Sequence, residues 1–114
     1  MAEVKPIWQE CFRVLKKGGL LLSGTDHFVN YIVDGKEERI VNALPFDPLQ
    51  NPEQMEQLWR DDCGVQFSHS LEEQIGGQLD AGFQLLELYE DYNGEGRLHE
   101  LHIPCFLAMR SRKP

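Results

Sequence analysis

The sequence predicts an α/β fold in which a helix leads directly into a buried strand, and three observations support this class. Residues 3–17 carry apolar side chains three or four positions apart, which is the spacing of an amphipathic helix. Residues 20–22 are consecutive leucines, and an unbroken apolar run favours a strand covered on both faces. Residues 83–90 and 103–110 are β-prone and joined by a polar loop. The expected order is helix, buried strand, β-hairpin insertion, two helices and a terminal antiparallel strand pair.

Length and charge limit the classes of function that the chain can perform. Its 114 residues amount to a single domain, residues 1–114, large enough to bury a core. The 19 acidic and 11 basic residues give a formal net charge of -8, which repels a nucleic-acid backbone and an anionic membrane alike. We therefore expect neither a nucleic acid nor a membrane as a partner.

The cysteines and histidines indicate the compartment and argue against a metal. Cys11, Cys63 and Cys105 are odd in number and widely spaced, which disfavours a disulfide framework or a thiolate zinc site. His99 and His102 are also ligand types, but in a loop or strand this spacing does not place both rings on one face. The sequence also lacks an apolar run long enough to cross a bilayer. We expect a cytoplasmic protein with no metal site.

The junction between the first helix and the first strand has the residues of a helix C-terminus. Lys16 and Lys17 are cations placed near the negative end of the helix dipole. Gly18 follows them and can adopt the left-handed conformation that caps a helix. The chain is thus expected to enter the sheet immediately after this glycine.

The insertion is expected over about residues 25–66, on the substrate side of the sheet. An Asp-Gly pair at positions 34 and 35 separates two β-prone runs and indicates a hairpin, because both central residues of such a turn need positive φ. Its strands are predicted at residues 29–33 and 38–44. The hairpin would carry Tyr31.

Both later helices begin with a cap. Asn51, followed by a proline, predicts the start of the first of them, with Met55, Leu58 and Trp59 on its buried side. Ser70 and Glu73 form a capping box at the start of the second, because each side chain can bond the other's backbone amide.

The second of these helices contains an anomaly. Leu71, Ile75 and Leu79 are spaced four apart and predict its apolar face. Gly76 and Gly77 lie inside it, where each glycine costs about 1 kcal/mol relative to alanine. Such a cost is usually retained where the backbone packs closely against a neighbour.

These segments together resemble one family. Residues 13–22, Arg-Val-Leu-Lys-Lys-Gly-Gly-Leu-Leu-Leu, resemble the helix-to-strand junction of Rossmann-like S-adenosylmethionine-dependent methyltransferases, with Lys17 in place of the usual proline. Residues 67–79 are similar to a segment of a bacterial subgroup of these enzymes, and residues 106–110 resemble the last strand of the fold. The resemblance implies a partial Rossmann-like methyltransferase sheet, from the C-terminal portion of the enzyme.

The resemblance also implies what this portion lacks. In the family, a glycine-rich turn after the first strand and an acidic residue ending the second hold the cofactor. Gly18 and Gly19 precede a strand instead of following one, which is the wrong context for that turn. We therefore expect S-adenosylmethionine in the full-length parent, no cofactor-binding residue in this chain, and no activity from the chain alone.

Substrate-facing residues are expected beyond the carboxyl end of the first strand, where open α/β sheets bind ligands. The parent would act on a small molecule. His27 or His69 could serve as a base, because imidazole titrates near neutrality. The favoured interpretation is that both are ordinary loop residues. The candidate residues are Asp26, His27 and Phe28 beyond the first strand, Tyr31 from the predicted hairpin, and His69 before the glycine-bearing helix.

An alternative is a cofactor-free interaction module. A half-sheet exposes an edge that must be covered, and pairing with a second copy would cover it. On this hypothesis the chain forms a homo-oligomer through the edge at residues 20–23.

Overall fold

The computed structural model describes residues 3–114, so the first two residues of the predicted domain lie outside the described part of the chain. The three strands are β1 (Leu20–Asp26), β2 (Gln84–Asp91) and β3 (Phe106–Arg112). The helices are α1 (Lys5–Val14), α2 (Val29–Ile32), α3 (Pro52–Arg60), α4 (Gly77–Ala81) and α5 (Arg97–Glu100), and a π-helical turn, Glu72–Gly76, runs directly into α4.

The strands form one antiparallel sheet in the order β1-β3-β2. Because β3 is antiparallel to both neighbours, β1 and β2 run parallel to each other without touching. The predicted α/β class and the terminal antiparallel pair are confirmed. The connection between β2 and β3 contains α5, which the sequence had suggested was only a loop.

One face of the sheet is covered by a helical layer made of α1 and α4. Trp8 of α1 is buried, and its indole Nε1 donates to the carbonyl oxygen of Glu73 at 3.1 Å. Phe12 packs edge-on against Phe83, with ring centroids 5.2 Å apart. The predicted apolar face of the first helix is thus confirmed as the face that packs inward.

The cap of α1 is made by a residue from the far end of the chain. Gly18 has the predicted positive φ, +85°, but the prediction that it caps the helix is wrong, because α1 already ends at Val14 and Leu15 is its extended C-cap. The Gly18 amide donates to the carbonyl oxygen of Lys113 from the turn that follows. The ammonium of Lys113 donates to the carbonyl oxygens of Phe12 and Leu15 at 2.7 and 2.9 Å. Lys16 is exposed, so the expected role of the local lysines is filled mainly by Lys113.

The expectation that β1 is buried on both faces is wrong. The exposure of β1 alternates along the strand, and Leu22 is 73% exposed, with Leu20 also exposed. The reason is that the helical layer covers only one side of the sheet. The apolar run therefore forms a strand, but the leucines of its second face contact solvent.

The predicted β-hairpin is also wrong. Residues 29–32 form α2, and only one isolated bridge, Val33 to Ile40, joins the two predicted strands. The carboxylate of Asp34 accepts hydrogen bonds from the amides of Glu38 and Arg39, which closes a longer turn with Glu37 at φ +59°. This side-chain turn competes with the strand ladder and leaves a single bridge.

The helix α3 begins as predicted but does not bury the expected aromatic residue. The side chain of Asn51 accepts from the amides of Glu53 and Gln54, which confirms the cap. Trp59 is 73% exposed, whereas Leu58 is buried. The inward side of α3 is therefore rotated away from Trp59.

The helical face of the π turn and α4 differs from the predicted one. The capping box of Ser70 and Glu73 is present, but Leu71 and Leu79 are exposed. Gln74, Gly77 and Gln78 are the buried positions instead. A π turn adds a residue to the helical repeat and so rotates the inward face relative to the i, i+4 pattern.

Gly77 packs closely against Trp8, and substitution at this glycine tests the contact. A Cβ added at Gly77 would lie 2.6 Å from Cδ1 of Trp8, whereas one at Gly76 would meet nothing nearer than 3.9 Å. We expect Gly77→Ala to lower the free energy of unfolding by about 1–3 kcal/mol through overpacking. The matched Gly76→Ala variant should raise it by up to about 1 kcal/mol, because alanine favours the helix. Urea unfolding measures both, and equal effects would contradict the packing argument.

Candidate functional site

A cavity of about 640 Å³ opens where the carboxyl ends of β1 and β2 meet the start of β3. The two parallel strands contribute Asp26 and Asp91, and the ladder places Phe106 between them. Open α/β sheets bind ligands beyond the carboxyl ends of their strands. The side chains that define the cavity are Asp26, Tyr31, Phe67, His69, Asp91 and Phe106.

The structure brings three of the five predicted site residues together. Asp26, Tyr31 and His69 all line the cavity, although β1, α2 and the segment before the π turn contribute them separately. Phe28 lies beside His69 in a neighbouring apolar cavity of about 580 Å³. His27 lines neither cavity: its Nδ1 accepts from the Val29 amide at 3.2 Å.

Tyr31 and Asp26 form a hydrogen-bonded pair at the cavity wall. The Tyr31 hydroxyl donates to Oδ2 of Asp26 at 3.1 Å. Partial burial raises the pKa of Tyr31 well above its usual value, and the negative charge and hydrogen bond of Asp26 raise it further. Tyr31 therefore stays a neutral hydroxyl at physiological pH.

His69 is oriented by a carboxylate. Its Nδ1 lies 3.1 Å from Oε2 of Glu73, and the other Glu73 oxygen accepts from the amide of Ser70. Burial acts to raise the pKa of Glu73, but the hydrogen bonds from His69 and Ser70 outweigh it, so the net shift is downward. Glu73 is thus a charged group that fixes the imidazole ring and directs proton exchange to Nε2.

Gln74 joins the walls of the cavity and was missed by the sequence reasoning. It is only 2% exposed, and its Nε2 donates to the carbonyl oxygens of Asp26 and His69 at 3.3 and 3.0 Å. Its Oε1 accepts from the hydroxyl of Thr25. No local pattern indicates this role, because the π turn rather than the regular helical repeat directs Gln74 inward.

Comparisons with known proteins agree with the geometry. No protein-family model matches the chain. The chain is 38% identical over 117 residues to the "Uncharacterized methyltransferase YbaJ" of Bacillus subtilis (strain 168), covering 96% of this chain and 45% of that protein. A crystal structure of a "putative S-adenosylmethionine dependent methyltransferase" from Listeria monocytogenes matches with a TM-score of 0.66 at 17% identity, covering 100% of this chain and 56% of the other. One of an S-adenosylmethionine-dependent methyltransferase from Mesorhizobium loti matches with a TM-score of 0.65 at 15% identity, over 98% and 56%.

The chain has the fold of part of these methyltransferase structures, and it is similar in sequence to part of the Bacillus protein. It spans about half the length of the proteins it matches. The resemblance seen in residues 13–22 and 67–79 is therefore confirmed.

Gly19 and Gly96 are not placed to form an S-adenosylmethionine cradle. Such a cradle needs a glycine backbone that is open to the ligand. At Gly19 the space of a Cβ is occupied by the Lys16 carbonyl oxygen at 2.8 Å, and at Gly96 by the Glu37 carboxylate. Within residues 3–114 there is also no group of three or more His, Cys, Asp or Glu side chains placed to hold a metal. None of the described helices is long and apolar enough to cross a membrane.

The pair of Tyr31 and Asp26 makes a spectroscopic prediction. Asp26→Asn removes the negative charge and weakens the hydrogen bond, so the pKa of Tyr31 should fall while remaining raised by burial. The measurement is a ¹³C-tyrosine NMR titration in which Tyr89→Phe and Tyr92→Phe assign the signals. Asp80→Asn, an exposed change on α4, is the control and should leave the Tyr31 pKa in place; an unchanged pKa in Asp26→Asn would contradict the pairing.

The pairing of His69 with Glu73 makes a prediction about stability. The pKa of Glu73 is lower in the folded state than its ordinary value, so its contribution is present above that value and is lost as the pH falls through the folded pKa. Between about pH 6 and about pH 3, Glu73→Gln should therefore lose less stability than the unsubstituted chain in urea unfolding. Glu72→Gln, the exposed neighbour, should keep the original pH slope, and an identical slope in both variants would refute the assignment.

Proposed function

We propose that this chain supplies the acceptor-binding side of an S-adenosylmethionine-dependent methyltransferase that acts on a small molecule. The observation that carries the proposal is the convergence of Asp26, Tyr31 and His69 on one cavity beyond the carboxyl end of β1. Its volume of about 640 Å³ lies within the range of small-molecule sites. The match to methyltransferases supports the reaction class, and S-adenosylmethionine would be bound by parts of the parent outside this chain.

These residues would orient the methyl acceptor and, for some acceptors, remove a proton from it. Methyl transfer is a displacement whose rate depends chiefly on holding the reacting atoms in line. The Tyr31 hydroxyl and the Asp26 carboxylate can position polar groups of an acceptor. His69, with Nδ1 held by Glu73, can accept a proton at Nε2. His27 is a weaker candidate because the Val29 amide occupies its Nδ1.

Phe28 extends the proposed acceptor site. It lies with Leu44, Pro45 and Leu71 in the apolar cavity that shares His69 with the larger one. An acceptor with an apolar portion could therefore occupy both cavities, with His69 at their boundary.

The cysteines are unpaired in the structure, which supports the cytoplasm as the compartment.

A chimeric enzyme tests this function. The matching 45% of the Bacillus protein would be replaced by this chain, and S-adenosylhomocysteine formation would be measured with a fractionated small-molecule extract of that bacterium. We expect turnover, reduced about 100- to 10,000-fold by His69→Asn, because a positioned base contributes that much. His27→Asn is the matched histidine control and should retain most activity. A folded chimera that binds S-adenosylmethionine but turns over no fraction would refute the proposal.

The second candidate is a self-associating module, and one observation favours it. The outer edge of β1 pairs with no strand among the described residues, and Leu20 and Leu22 beside it are exposed. A flat apolar edge strand is a template for pairing with a second copy.

Sedimentation velocity at micromolar concentration tests this alternative. The chain should sediment as a dimer, and Leu22→Lys should shift it to a monomer, because an edge lysine opposes strand pairing. Leu79→Lys, which places the same charge on the exposed side of α4, should leave the dimer intact. A monomeric unsubstituted chain would exclude the module.

A further inference from the structure

We infer that the cavity at the carboxyl ends of β1 and β2 selects acceptors that carry a cationic nitrogen next to an apolar group. The inference rests on the proposed function for its biological meaning, but it concerns binding alone. The cationic group is an anchor for the acceptor, and no transfer step is assigned to it.

The first step of the argument is the register of the sheet. Asp26 pairs with Phe106 across β1 and β3, and Phe106 pairs with Asp91 across β3 and β2. Directly opposed residues on neighbouring strands have side chains about 5 Å apart. Phe106 is exposed, and the register places one aspartate on each side of it.

The second step is the balance of charge around the cavity. Asp26 and Asp91 both line it, whereas no lysine or arginine occurs in its lining among the described residues. His69 is the basic side chain in that lining. Glu73 lies beside it, and its carboxylate would compensate the positive charge of a protonated imidazole. Asp26 and Asp91 are exposed, and carboxylates at the mouth of a cavity attract cations and repel carboxylates and phosphates, most strongly at low salt.

The third step is that the carboxylates are held in place but not neutralised by a protein cation. Asp26 accepts from the Tyr31 hydroxyl, and Asp91 accepts from the amide of Tyr92 at 2.8 Å. Both donors are neutral, so the two negative charges remain. Phe67 and Phe106 supply aromatic surface, and an aromatic face attracts a cation as well as an apolar group.

The experiment compares three probes of one shape with the full chain. Phenethylamine, phenethyl alcohol and phenylacetate differ in charge and share a phenyl ring. Isothermal titration at neutral pH and low salt should show phenethylamine binding about tenfold or more tightly than phenylacetate, with the alcohol between them. Equal binding of the three, or no binding of the amine at millimolar concentration, would overturn the inference.

Substitutions locate the effect in the cavity. Asp26→Asn and Asp91→Asn should each weaken phenethylamine about fivefold or more and leave the alcohol nearly unchanged. Asp80→Asn changes the net charge by the same amount on the exposed surface of α4 and should leave the preference intact. If Asp80→Asn loses the preference for phenethylamine as much as the cavity variants do, the selectivity comes from the net charge and the inference is overturned. Circular dichroism confirms that each variant is folded.

The outcome is separable from that of the proposed function. A chimera without methyl transfer leaves the preference of the isolated chain for the amine measurable. Conversely, a chimera that transfers methyl groups while the chain binds phenylacetate as well as phenethylamine would overturn this inference and leave the proposed function intact.

Discussion

Two buried glutamines fasten the helical layer to the sheet, and the arrangement of the candidate site depends on them. Gln78 accepts from the hydroxyl of Ser111 at 2.6 Å and reaches the Ser23 hydroxyl at 3.4 Å. Gln74 bonds Thr25 and the carbonyl oxygens of Asp26 and His69. A buried amide left unpaired costs about 1–3 kcal/mol, so these bonds specify one position of the helix on the sheet. Among the described residues, no buried side-chain polar atom lacks a partner.

The glycine in the same helix makes this attachment possible. Gly77 lies under the Trp8 ring, so α1 and α4 approach more closely than any side chain at that position would allow. The Trp8 indole then bonds the carbonyl oxygen of Glu73, whose side chain orients His69. A packing constraint between two helices is thereby transmitted to a side chain of the cavity.

The uncovered parts of the sheet are consistent with a chain that spans about half of its relatives. Leu20 and Leu22 are exposed on the face opposite the helical layer, and β1 lies at the edge of the sheet. Apolar side chains in such positions usually contact another layer or another strand. The same feature therefore supports both the methyltransferase parent and the self-associating module, which differ in what covers it.

The amino-acid sequence by itself determined the elements whose signals are local: α1, the leucine strand, the Asn51 cap, the capping box of Ser70 and Glu73, and the terminal strands. These depend on periodicity and on backbone groups a few residues apart. The sequence also pointed to Asp26, because residues after a strand's carboxyl end face the ligand side of such sheets. Tyr31 was named from a hairpin that the structure replaces with α2, and His69 was named from its place before the glycine-bearing helix. Only the tertiary structure decided the π turn, the inward glutamines, the exposure of the leucines and the replacement of the hairpin by α2. Each of those depends on which distant groups are available to bond or cover a residue, and no local spacing records that.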